Sequence, residues 1–140
     1  MEMRATRLLR LWLLLAVLAV PAGASPSLAD ESDARQTVLY FGLKTDDGAG
    51  VSEQAWAQFL AEIVTPHFPD GLTVLEAYGQ SDDHGPQPGS VVAQGTRMLI
   101  LVHPVDAAAA AAVATIKAAW QERFPTAGLF HTETDVRVVE

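Results

Sequence analysis

The chain of 140 residues contains no cysteine. Without a thiol it forms no disulfide, holds no thiolate-ligated metal and offers no lipid-modified cysteine, so its stability comes from packing alone. Basic residues are scarce: nine Lys and Arg stand against 17 Asp and Glu, a formal charge of −8. Such a surface repels nucleic acid and anionic lipid, so no nucleic-acid partner is expected. Long apolar runs are missing too. The longest, Leu11 to Val20, is too short to cross about 30 Å of hydrocarbon as a helix. There is no Gly-rich phosphate loop, Ser-His-Asp order, zincin helix or nucleotide fingerprint. Gly79-Gln80-Ser81 lacks the flanking pattern of a nucleophile elbow. No cofactor is therefore expected.

What is present begins with an export signal. Arg4, Arg7 and Arg10 precede the apolar run, Pro21 stops it, and Ala22-Gly23-Ala24 follows as a small-residue cleavage pattern. Residues 1–24 thus read as a signal peptide, with an alternative cut after Ala29. The mature protein is expected to be soluble, in the periplasm or outside the cell, with no membrane anchoring after cleavage. Removing Glu2 and the three leader arginines takes the charge from −8 to −10. Residues 25–36 are polar and mixed, a mobile lead-in, and residues 37–140 are long enough for one small domain with one core.

Within that domain the periodicity changes several times. Thr37 to Leu43 is a β-branched and aromatic run that ends in turn residues, which makes it a strand. Ser52 is a good N-cap, and Trp56, Phe59, Leu60 and Ile63 recur at helical spacing until Pro66 ends the pattern. Leu72 to Tyr78 reads as a second strand, and residues 79–95 as a long polar loop. Met98 to Val102 is a continuous apolar run, as for a central strand covered on both faces. Asp106 caps a second helix carrying Val113, Ile116, Trp120 and Phe124, and residues 132–139 supply the last strand.

The order βαββαβ predicts a ferredoxin-like α+β fold: a four-stranded antiparallel sheet ordered 4-1-3-2, with both helices on one face. Alternation leaves apolar side chains on both faces of the first two strands, so the helix-free face must meet a partner, a ligand or a loop.

Tyr40-Phe41-Gly42-Leu43, the Val51-Ser52 helix start with Trp56 and Phe59, residues Thr65 to Leu75, Gly79-Gln80 and Leu99 to Pro104 together resemble the domain-of-unknown-function family 3574. The long string Thr-Pro-x-Phe-Pro-Asp-Gly-Leu-Thr-Val-Leu makes the resemblance specific, and it covers most of the mature chain. It implies a small exported bacterial protein and carries over no activity. Relatives usually place arginine where this chain has His67, and a Trp-Arg pair where it has Ser81-Asp82, so an anion-binding role for those positions does not transfer.

The topology points to three candidate sites. The end of the first helix and the end of the third strand share a pole, which brings His67 and Asp70 toward His103 and Asp106 as acid/base or metal candidates. Capping by Asp106 and a turn at Asp70 explain those residues equally well. The opposite pole gathers Asp46, Asp47, Asp82, Asp83 and His84, oxygen-rich but without the spacing of a known cation loop. On the helix-free face, Tyr40, Glu76 and Tyr78 are expected among Val38, Leu72, Val74 and Ile100, as a ligand pocket or a homodimer interface. The expected function is a binding or self-associating module of the bacterial cell envelope. The alternative is a small-molecule enzyme using the open face or the His67/His103 pole.

Overall fold

The computed structural model describes residues 34–82 and 89–139. The expected signal peptide, both candidate cleavage positions and the expected lead-in as far as residue 33 lie outside the described residues. The elements follow in the order β1 (Ala34–Gly42), α1 (Glu53–Phe59), a π-helical turn (Leu60–Val64), α2 (Thr65–His67), β2 (Thr73–Asp82), β3 (Val91–His103), α3 (Ala107–Arg123) and β4 (Leu129–Val136). They build a four-stranded antiparallel sheet in the order β2-β3-β1-β4, the predicted ferredoxin-like arrangement.

Ser52 caps α1 as expected, its hydroxyl accepting from the Ala55 N–H, and Asp106 caps α3 through Ala109. Pro66 does not end the first helix. It has no N–H to give the Glu62 carbonyl, and its ring would collide with that carbonyl in a regular α-turn. The π turn just before it opens the spacing, with the Thr65 N–H donating to Leu60 O, so α1, the turn and α2 run on as one helix to His67.

Thr37, Leu39 and Phe41 of β1 and Leu99 and Leu101 of β3 face this helix and α3, burying Trp56, Phe59, Val64, Val113, Ile116 and Trp120 between the layers. Phe41 stands at the centre of an aromatic cluster, 4.5 Å from Trp120, 5.3 Å from Trp56 and 5.7 Å from Phe59 between ring centroids.

Three boundaries depart from the sequence reading. β1 starts at Ala34, inside the expected lead-in, because it pairs with β4 there and Arg35 sits between Glu133 (3.1 Å) and Asp135 (2.9 Å). β4 is displaced to Leu129–Val136, since Leu129 and Phe130 pair with Phe41 and Tyr40. The supposed loop 79–95 is mostly strand: Gly79–Asp82 pairs with Val91–Gln94 and extends the β2–β3 hairpin as an arm. Beyond the helix layer the arm has no core to cover, so its residues need not alternate and read as a polar loop.

Candidate functional site

The pole formed by the end of the first helix and the end of β3 is assembled as expected. His67, Phe68 and Asp70 face His103, Pro104 and Asp106 across a cleft of about 250 Å³, whose far wall is the small face of α3 at Ala108, Ala109 and Ala112. The chemistry there is largely committed to structure. His103 is buried, and its Nδ1 lies 2.9 Å from the Pro104 carbonyl, an acceptor, so that nitrogen carries the proton. Nε2 then accepts from the Thr37 hydroxyl at 2.9 Å. Asp106 is engaged as a cap, accepting from the Ala109 N–H at 2.8 Å. His67 donates from Nδ1 to the Ile63 carbonyl at 2.7 Å, which leaves Nε2 as the basic nitrogen of the exposed ring. Of the four residues, His67 and the exposed Asp70 remain available to a ligand.

Among the described residues the acidic pole is not assembled. Asp47 accepts from the Thr45 hydroxyl and the Ala49 N–H, which holds its carboxyl below the usual range and locks a turn. Asp46 donates its N–H to the Thr126 hydroxyl, next to the end of α3. In the sheet register Gly42 lies level with Thr96 and Ala77, so the backbone of Asp82 is five residues farther along the arm, roughly 17 Å at strand rise. Asp83 and His84 lie outside the described residues. Among the described residues no group of three or more His, Asp or Glu is placed to hold a metal ion.

The helix-free face also departs from expectation. Val38, Tyr40 and Ile100 lie on it, but Glu76 and Tyr78 do not: Val74 pairs with Leu99 and packs on the core, which turns Leu72, Val74, Glu76 and Tyr78 to the helix side. Tyr40 is therefore separated from the other two by the sheet. Leu75 takes their place, paired with Met98, itself paired with Tyr40. Tyr40 in turn pairs with Phe130, with ring centroids 5.6 Å apart. Along this face run Gln36, Val38 and Tyr40 of β1, Leu75 and Ala77 of β2, Thr96, Met98, Ile100 and Val102 of β3, and Phe130, Thr132 and Thr134 of β4. None is Asp, Glu, Lys, Arg or His, while Arg35, Arg97, Glu76, His131, Glu133 and Asp135 all project on the helix side.

Two helix-side clusters were missed. The buried Arg97 guanidinium holds Glu76 at 2.7 Å and also Glu53, at the start of α1. This ties β2 and β3 to the start of the first helix. Its signal was Arg97 beside the apolar run of β3: a cation entering a core strand needs carboxylate partners. The second is Lys117, His131 and Glu133. Lys117 donates to His131 Nδ1 at 3.3 Å, which fixes the Nε2–H tautomer, and Nε2 lies 3.2 Å from Glu133 without hydrogen-bond alignment. Burial, with Lys117 second, pushes the imidazole below its usual value.

Comparison with known proteins adds the fold and the family. None of the curated proteins is similar at a significant level. A solved structure described as a phage SAM lyase in complex with S-methyl-5'-thioadenosine superposes with a TM-score of 0.58 at 12% identity, covering 78% of this chain and 86% of that one. At that identity the likeness shows the fold alone. Residues 36–139 match the family described as Protein of unknown function (DUF3574), and the chain belongs to that family.

Proposed function

We propose that this domain is a self-associating module of the bacterial cell envelope, exported by its leader, in which two copies stack their helix-free sheet faces. The observation that carries the reading is the segregation of charge. On a chain of formal charge −8, two copies repel wherever carboxylates meet, and among the described residues the strands bring none to the helix-free face. Its centre is apolar, with Leu75 46% and Phe130 64% exposed. Four strands about 4.8 Å apart and about eight residues long give roughly 500 Å² of projected face, to which the arm adds about 150 Å². With side-chain relief this approaches the ~800 Å² per partner of a standard interface.

The test is sedimentation of the mature chain. The wild type is expected to sediment as a dimer at tens of micromolar, and Leu75→Glu as a monomer with an unchanged circular dichroism spectrum. Val74→Glu, by contrast, is expected to unfold the domain, because Val74 packs on the core. A wild type that stays monomeric at high micromolar concentration overturns the proposal.

The similar solved structure favours a second reading, an enzyme on the same scaffold, since a protein of this fold is a lyase. In this chain the groups for it are His67 and Asp70 at the cleft. Release of S-methyl-5'-thioadenosine from SAM by the purified domain would put this reading in place of the first.

A further inference from the structure

We infer that the helix-free face carries a small-molecule site at the end where β1 leaves the sheet, and that it takes a neutral, planar nitrogen heterocycle. The inference does not rest on the pairing of two copies, and a stacked copy competes with the ligand for Phe130. A hollow of about 280 Å³ opens there between Tyr40, Phe130, Gln94 and Thr96, over Gly42 and Gly128.

Three features specify the occupant. The first is an exposed aromatic ring: Phe130, 64% exposed, is braced by Tyr40 with ring centroids 5.6 Å apart and ring planes at 49°, so the Phe130 ring offers a stacking surface. The second is the Gln94 amide, half-buried and laid across Gly42. A Cβ at position 42 would stand 3.1 Å from its Oε1, so the missing side chain is what lets the amide lie flat in the hollow. An amide offers a donor and an acceptor side by side and pairs with a ring edge that presents the complementary couple. The Thr96 hydroxyl lies beside it, close over Gly79, whose added Cβ would stand 3.0 Å from Oγ1. The third is charge: no ionisable side chain but the Tyr40 phenol lines the hollow, so nothing there compensates a phosphate or a carboxylate. Its volume falls just below the ~300 Å³ at which pockets for drug-sized ligands begin, which limits the occupant to one or two fused rings with little attached.

Calorimetry on the mature chain tests this with adenine, hypoxanthine, cytosine and nicotinamide, using indole as a flat ring without the paired donor–acceptor edge. At least one of the four is expected to bind, with indole at least about tenfold weaker. Gln94→Leu is expected to remove about tenfold or more of that affinity, the scale of a bidentate pair. Phe130→Ala is expected to remove a similar factor through lost stacking. Gly42→Ala checks the geometry without touching the ligand groups, since it displaces the amide and should weaken binding while the spectrum of the fold is kept. Absence of binding by all four at millimolar concentration overturns the inference, and so does binding that survives Gln94→Leu unchanged. Sedimentation without ligand and calorimetry on the Leu75→Glu monomer separate the two proposals: a ligand-free wild type that stays monomeric refutes the self-association, and a Leu75→Glu monomer that binds none of the four refutes the pocket.

Discussion

Trp120 offers a test in which two substitutions at one site should differ sharply. Its ring is fully buried, 4.5 Å from Phe41, 4.6 Å from Phe124 and 5.2 Å from Phe59, yet its indole N–H finds no partner. Trp120→Ala empties the centre of the aromatic cluster and should cost about 3–5 kcal/mol, a large share of the ~5–15 kcal/mol that holds a domain together. Trp120→Phe removes only about 40 Å³, a cavity term of about 1 kcal/mol, together with about 1 kcal/mol of lost transfer energy. It also removes the orphaned donor, whose burial costs about 1–3 kcal/mol. The two effects nearly cancel, so Trp120→Phe should lie within about 1 kcal/mol of wild type. Trp56→Phe should cost more, because the Trp56 nitrogen is not among the orphaned atoms and nothing offsets its cavity. Urea midpoints at constant m-value measure all three. A Trp120→Phe domain destabilised as much as Trp120→Ala would show that the N–H is satisfied and would refute the reasoning.

The Arg97 cluster predicts an asymmetry: Arg97→Met frees Glu53 and Glu76, both mostly exposed, and should cost about 1 kcal/mol or less. The double change of Glu53→Ala and Glu76→Ala strands a buried cation and should cost several times more by the same urea assay. The Lys117–His131–Glu133 cluster predicts a pH dependence. Because the folded imidazole lies below its usual value near 6.5, the unfolded chain takes up its proton first as pH falls. Stability contributed by neutral His131 is therefore complete above about pH 6.5 and declines as pH drops through the lowered folded value. His131→Gln should flatten that part of the midpoint-against-pH profile, and an unchanged slope would refute the assignment.

Much of the fold was legible because both helices are marked at their starts by local chemistry and the strands by their apolar runs. Ser52 and Asp106 announced both helices, and the uninterrupted Met98 to Val102 announced a central strand, although the helices cover only its Leu99 and Leu101 face and leave Val102 exposed. Pro66 misled because a proline argument assumes α spacing, and the π turn before it removes the clash. The arm at 79–82 and 91–94 was illegible for a different reason. Alternation records burial on one face, and a hairpin running past its helix layer has no buried face to record.

The candidate site shows why sheet faces are harder to read than sheet order. Strand β2 carries Leu72, Val74, Glu76 and Tyr78 on one parity and Leu75 on the other, and a charged Glu76 argues for turning the first set toward water. The argument fails because it treats Glu76 as alone. Arg97, across the ladder from it, brings a cation into the helix-side layer, and Glu76 with Glu53 neutralises it. Charge on a strand is thus evidence of solvent only when no opposite charge shares its register. Once Arg97 is assigned to that pair, Arg35, Arg97, Glu76, His131, Glu133 and Asp135 all fall on the helix side. The uncharged face that remains is the surface from which both the self-association and the heterocycle pocket follow.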